Sequence, residues 1–312
     1  MAKPLLSIGI VTYNSARTLR TCFNSIARTC PVENIEIVVV DNDSDDATVD
    51  ILREIPFISK LIINSENQGF AAGVNRLIDE KSGKHLLLLN PDTRIETPPL
   101  PIIERIFTIE SKVGIIGADV RYVDGTHREA YGAFLTPLMV IWDFSGLRKI
   151  FPMRRWSTSV AFRGDSPTEV DYPTGAFYCI RDEAISAVGK FDERFFAYFE
   201  EVDYALRLKE AGFKAMVHPS IRVKHLGGGS FIPAKARYDE DFQLTCYFDS
   251  LLWFLEKHYG RKWAERCRRF IRATASFKAS MGGNTAFGRR HRQVVRIIDK
   301  LKYGDLRRIY GI

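Results

Sequence analysis

From Leu5 to Val120, short β-branched apolar runs alternate with amphipathic stretches. That rhythm marks a mostly parallel sheet whose strands are joined and covered by helices. Strands are expected near 5–12, 35–40, 60–64, 85–89 and 113–120, with helices over 15–28, 46–54, 69–81 and 100–111. Pro98, Pro99 and Pro101 suit the start of the last helix and would break its interior. This half is Rossmann-like, yet no GxGxxG follows the first strand, which argues against a dinucleotide enzyme. With 312 residues, 46% of them apolar, the chain has room for one large α/β domain plus an appendage.

Residues 124–170 carry glycines and prolines among aromatics and arginines without a sustained period, and are expected to be long loops and short elements over a site. A strand near 170–181, a short helix after Asp182, a helix over about 199–212 capped by Gly212 and a strand over 213–218 follow. From Tyr238 onward the pattern is helical, with a break at Gly282-Gly283-Asn284 and a last helix near 287–303. The expected division is a catalytic domain over 1–237, with halves of about 1–122 and 123–237, and a helical region over 238–312.

Charge divides the chain the same way. From Lys257 to Ile312 there are 16 Lys and Arg against 3 Asp and Glu, or +13, which leaves +7 − 13 = −6 for the remainder. An acidic body with a basic helical tail predicts contact with something anionic: phospholipid head groups, a polyprenyl diphosphate or nucleic acid. Segments such as Arg261–Arg272 mix arginine with Trp263 and Phe270, as a helix lying on an anionic membrane does; a solvated helix packed on its own domain has the same composition. No run approaches the roughly 18 apolar residues of a membrane span, and the start lacks a secretory cleavage pattern. Five scattered cysteines without a CxxC pair fit a reducing cytoplasm.

Five motifs carry chemistry. Val11-Thr12-Tyr13-Asn14 and Val40-Asp41-Asn42-Asp43-Ser44 end the first two strands, where ligands of open α/β sheets bind. Asn67-Gln68-Gly69-Phe70-Ala71-Ala72-Gly73-Val74-Asn75 opens a helix whose free amides favour an anion. Leu86–Leu89 runs into Asn90-Pro91-Asp92-Thr93. Pro173-Thr174-Gly175-Ala176 puts a glycine in a strand, and Phe199-Glu200-Glu201-Val202-Asp203 with Arg207 begins a helix, followed by Lys224-His225-Leu226-Gly227-Gly228-Gly229. Each has a plainer reading: a helix cap at Ser44 or Asp45, tight packing at Gly73, an Asn-Pro-Asp turn, a bulge at Gly175, and favourable charge in a first helical turn. Glu200, Asp203 and Arg207 share a helix face, with Glu201 about a quarter turn away, so Asp203 and Arg207 are expected to form an i,i+4 ion pair.

In this order and spacing the motifs resemble family-2 glycosyltransferases of the GT-A fold, a Rossmann-like mixed sheet flanked by helices, and especially their bacterial rhamnosyltransferase-like branch. The resemblance spans about residues 5–232. It implies an inverting, metal-dependent transfer of a sugar, with dTDP-rhamnose the first choice, from a nucleoside-diphosphate donor to a hydroxyl of a glycan or polyprenyl-diphosphate-linked acceptor. Thr12, Tyr13, Asn14, Asp41, Asp43, Asn67, Gly69, Asn75, Asn90, Gly175 and Arg207 would line the donor. Asp92 matches the surviving acid of a DxD element, because Asn90 stands where the first acid would be. With His225 it would hold Mg or Mn. Glu201 occupies the family's aspartate position and would be the catalytic base, with Glu200 and Asp203 as alternatives. Expected partners are the donor, the acceptor and an anionic membrane surface on the cytoplasmic face, without nucleic acid; self-association into a homo-oligomer stays open. The rival functions are a sugar nucleotidyltransferase, for which Asn14-Ser15-Ala16-Arg17 is a poor phosphate loop, and a nucleic-acid-binding protein, for which no motif speaks beyond the basic tail.

Overall fold

A computed structural model describes residues 4–146, 159–226, 241–301 and 305–312. The chain begins with β1 (Leu6–Thr12), α1 (Ala16–Thr29), β2 (Ile35–Asp41), α2 (Thr48–Arg53), β3 (Lys60–Ile63), α3 (Phe70–Glu80) and β4 (His85–Leu89). It continues through β5 (Thr93–Ile95), α4 (Leu100–Ile109), β6 (Val113–Arg121), β7 (Glu129–Gly132), α5 (Pro137–Ser145), β8 (Val160–Ala161), β9 (Thr168–Val170), β10 (Tyr172–Pro173) and β11 (Phe177–Ile180). Helices α6 (Asp182–Val188) and α7 (Glu200–Glu210) precede β12 (Lys214–His225), and α8 (Phe242–Tyr259), α9 (Arg261–Gly282), α10 (Ala286–Leu301) and α11 (Leu306–Tyr310) follow.

The main sheet runs β3-β2-β1-β4-β11-β6-β12-β5, with β9 also pairing with β12. Neighbours from β3 to β4 are parallel, β11 is antiparallel to both β4 and β6, and β12 is parallel to β6. The carboxyl ends of β1, β2, β4, β6 and β12 therefore share one edge with the start of β11. Strands buried on both faces read as nearly continuous apolar runs, and every residue of β1 and β4 is buried, Ser7, Thr12 and His85 being the polar exceptions. Each leucine of β4 contributes on the order of 1.5–3 kcal/mol by leaving water. Close packing of α3 explains two glycines: a Cβ on Gly9 would lie 2.8 Å from Leu77 Cδ1, and one on Gly73 would lie 2.8 Å from Val11 Cγ1.

Several expectations change. The stretch near 170–181 is not one strand, because β9 pairs with β12, β10 with β7, and β11 with β4 and β6. The strand expected over 213–218 continues to His225 through an irregularity between His218 and Arg222. Within the expected loops of 124–170 lies α5, where Thr136 accepts a hydrogen bond from Met139 N and Pro137 takes the first turn.

The chain forms two compact units, Met1–Phe134 with Thr158–Glu193 and Glu201–Ala234, and Leu135–Ser157 with Arg194–Glu200 and Lys235–Ile312. The first contains the sheet. In the second, Tyr259 Oη donates to Leu135 O at 2.9 Å, Lys278 Nζ donates to Phe144 O at 2.7 Å, and Arg296 pairs with the buried Asp241. All five cysteines are free and buried.

Candidate active site

The ends of β1 and β2 are stitched together. Asp41 is fully buried; it accepts from Thr12 Oγ1 at 2.8 Å, from Ser44 Oγ at 2.6 Å and from Ser44 N at 2.9 Å. Asn14 N donates to Ser44 Oγ, Asn14 Oδ1 accepts from Asp45 N, and Ser15 N donates to Thr48 Oγ1. Asn14 and Asp43 both sit at positive φ, 48° and 63°, in the left-handed region that Asn and Asp tolerate best. Asn14 Nδ2 is buried without a hydrogen-bond partner among the described residues. Tyr13 and Asp43 are half-buried between these loops. Ser44, expected as a cap for α2, instead closes the turn on Asp41.

The next motif divides. Asn67 Oδ1 accepts from Gly69 N at 3.0 Å, and Gly69 caps α3 at φ 92°, ψ 171°, which only glycine adopts readily. Among the described residues no side chain caps α3, so its first amides have no side-chain acceptor. Asn75, by contrast, is a brace: its carboxamide exchanges two hydrogen bonds with the backbone of Phe191, at 2.8 and 2.9 Å, and Nδ2 also donates to Glu193. It lines a cavity of about 480 Å³ with Ile63, Asn64, Gln68 and Arg76, and that lining includes neither Asp92 nor Glu201.

Asp92 and His225, 133 residues apart in sequence, meet at the edge of the sheet: His225 Nε2 lies 2.9 Å from Asp92 Oδ1, and Leu226 N donates to Asp92 O at 2.7 Å. Asn90-Pro91-Asp92-Thr93 is a turn, closed by Thr93 N on Asn90 O, and β12 reaches it by pairing Thr93 with His225. Asn90 N donates to Ala176 O, which brings the Thr174-Gly175-Ala176 segment alongside. A Cβ on Gly175 would meet nothing within 4 Å, so packing does not demand this glycine. Thr174 Oγ1 is buried there, with no hydrogen-bond partner among the described residues. Gly227, Gly228 and Gly229, expected to close over the donor, lie outside the described residues.

Helix α7 is entered through Tyr198 and Phe199, both at positive φ, 69° and 66°. For bulky aromatics that backbone is strained, at a cost on the order of 1–3 kcal/mol each. Tyr178 Oη donates to Glu201 O at 3.0 Å, docking the first turn onto β11. Glu201 Oε2 is buried with no hydrogen-bond partner among the described residues, and burial raises the pKa of its carboxyl above the usual range. Glu200 is buried. Asp203 is fully buried and paired with Arg207 at 2.9 Å, as expected; Arg207 also donates to the carbonyls of Val188 and Lys190. This pair braces α7 against the end of α6, and the guanidinium expected at the donor is engaged there. The strained pair before α7 was invisible in the sequence, because nothing in Tyr-Phe signals a left-handed backbone. Thr174 stood in a quoted motif, but only burial without a partner singles out its hydroxyl.

Residues 7–163 match the family described as glycosyl transferase family 2. The chain belongs to that family. It is a glycosyltransferase, so nucleotidyl transfer is set aside. Among its relatives, an N-acetylglucosaminyl-diphospho-decaprenol L-rhamnosyltransferase of Mycobacterium tuberculosis is 23% identical over 310 residues, covering 95% of this chain and 98% of the relative. Two solved structures resemble this glycosyltransferase in fold. GalNAc-T7 with UDP, GalNAc and Mn2+ aligns at TM-score 0.57 and 15% identity, over 98% of this chain and 55% of that one. The mannosyltransferase PcManGT from Pyrobaculum calidifontis, with GDP-Man and Mn2+, aligns at 0.52 and 13%, over 100% and 88%. The expected GT-A architecture is therefore present.

Proposed function

We propose that this glycosyltransferase inverts the anomeric centre, taking rhamnose from dTDP-rhamnose to a hydroxyl of a polyprenyl-diphosphate-linked glycan precursor. The observations that carry the reading are the Asp92–His225 pair, 2.9 Å apart just beyond β4, and the oxygen of Glu201 left without a partner among the described residues, on a helix turn that Tyr178 ties to β11, the neighbour of β4. Rhamnose and the lipid-linked acceptor are inferred from the mycobacterial relative, whose name states both; the dTDP carrier follows the rhamnosyltransferase-like motifs.

Asp92 and His225 fit a divalent ion such as Mg or Mn. They present a carboxylate oxygen and an imidazole nitrogen in one shielded place, and no group of three His, Cys, Asp or Glu suited to a metal occurs among the described residues. With two protein ligands, such an ion would take its other ligands from water and the diphosphate. When bound, the ion would neutralise charge on the departing diphosphate.

Glu201 takes the proton of the acceptor hydroxyl. The oxygen bonds to the anomeric carbon as the bond to the diphosphate breaks on the opposite face, so configuration inverts. A carboxylate whose pKa is raised by burial is a better base than an ordinary one. Thr12, Tyr13, Asn14, Asp41 and Asp43 shape the nucleotide wall, Asn67 and Gly69 present the amides of α3, and Asn90 and Gly175 flank the sugar.

The test offers the full chain dTDP-rhamnose, UDP-GlcNAc or GDP-mannose with an N-acetylglucosaminyl-diphospho-polyprenol, and reads the product by mass spectrometry and its anomeric configuration by NMR. A retained configuration rejects inversion, and preference for another donor rejects rhamnose. A thermal-shift series with donor, with and without Mn2+, tests the metal, because bound donor stabilises the fold according to its occupancy.

A further inference from the structure

We propose that the tip of the α9–α10 hairpin is a membrane-insertion site, where Phe277, Met281 and Phe287 enter the interfacial layer of an anionic bilayer and neighbouring arginines hold lipid phosphates. These side chains are 66%, 71% and 49% exposed, among the barest large apolar groups in the chain. Helix α9 ends at Gly282 and α10 begins at Ala286, so all three lie within about two helical turns of the connection. The tip is tightly closed. A Cβ on Gly282 would lie 2.6 Å from Gly288 N, and one on Gly288 would lie 2.2 Å from Gly283 O, so the helix ends touch only because both residues lack side chains.

Charge indicates what covers this tip. The 33 residues between Glu265 and Asp299 contain nine Lys and Arg and no Asp or Glu. Arg289, Arg290 and Arg292 follow Phe287 closely and are exposed. Arg289 and Arg292 donate to the carbonyls of Asn284 and Gly283, which keeps two guanidinium groups beside the turn. An anionic bilayer supplies both complements at once, a phosphate layer for the arginines and an acyl boundary for the apolar groups. A second copy would bring the same positive tip, so like charge opposes pairing there. No described helix is long and apolar enough to cross a membrane, so the mode is peripheral. This inference does not rest on the donor, acceptor or base assigned above.

Flotation of the full chain with phosphatidylcholine vesicles, with and without phosphatidylglycerol, is the test. Binding is expected only with phosphatidylglycerol and should fall steeply as salt rises, because the Debye length shrinks from about 30 Å at 0.01 M to about 10 Å at 0.1 M. The triple change Phe277→Ser, Met281→Ser and Phe287→Ser should weaken partitioning about tenfold or more at low salt, with melting temperature unchanged. Arg289→Gln with Arg290→Gln should weaken it several-fold and flatten the salt dependence. If the triple variant melts early, Met281→Ser alone, at the most exposed position, gives the same reading on a smaller scale. A wild-type chain that ignores phosphatidylglycerol vesicles at low salt overturns the proposal. So does a triple variant that binds like wild type, or a wild-type dimer that the triple change makes monomeric.

Discussion

At the ends of β1 and β2 the polar side chains answer one another: Thr12 and Ser44 bond Asp41, and Asn14 and Thr48 bond the facing backbone. At the start of α7 the chain passes through two aromatics at positive φ and leaves a carboxylate oxygen of Glu201 buried without a partner among the described residues. Native proteins satisfy nearly all buried polar groups, so an unsatisfied one calls for an explanation. The first region spends most of its bonds on its own shape, with Asn14 Nδ2 the buried exception among those described. The second keeps strain and an unmet hydrogen bond where chemistry would use them, and local rules tend to fail at functional sites.

The largest effect that could break this contrast is at Glu201. Glu201→Gln should lower the transfer rate by about 10²–10⁴-fold while leaving stability at neutral pH unchanged or raised. The sign follows from its raised pKa: the folded chain holds this proton more tightly than the unfolded one, so stability declines as pH rises from the usual carboxylate value through the raised one. Over the same interval wild-type activity should climb as the base ionises, a limb that the glutamine variant lacks. Near-normal activity in that variant would move the base to Glu200.

Next come Asp92→Asn and His225→Ala, each expected to lower turnover at least about 10²-fold and to remove the Mn2+-dependent part of the donor-induced melting shift. Retention of that shift in both variants would mean that the pair holds no ion. Asp203→Asn acts differently. Breaking a buried ion pair from one side costs about 3 kcal/mol, so denaturant unfolding should shift strongly while the folded fraction keeps its donor KM. Smallest is Asn75→Ala, which orphans the Phe191 backbone for about 1–3 kcal/mol. A clear rise in its donor KM at unchanged stability would return Asn75 to the donor site.

Much of this was legible beforehand. The strand and helix rhythm over the first 120 residues was readable because doubly covered strands are mostly apolar, and the motifs were readable because they sit where strands end. The extension of β12 to His225 was not. Pro219-Ser220 interrupts the run and argues against a strand, although Ile221 and Val223, buried between the exposed or half-buried Arg222 and Lys224, keep a period of two. Helix α5 hid for a different reason: apolar residues surround it, so no amphipathic period betrays it. Spacing foresaw the Asp203–Arg207 pair, but it could not show that Asp41 and Asn75 are bonded within their own chain.

The place of β12 in the sheet bears on how the enzyme is made. It separates β6 from β5, strands that are near neighbours in sequence, and arrives only after the long passage from Arg121 to Lys214. Such a late, distant pairing is slow, and until it forms β6 presents an open edge to other chains during synthesis. His225 reaches Asp92 only with that last insertion. A half-made chain can stitch the ends of β1 and β2 together but lacks this pairing, so, on the proposed roles of Asp92 and His225, activity should emerge in one step at the end of folding, and the waiting edge is where a chaperone would help most.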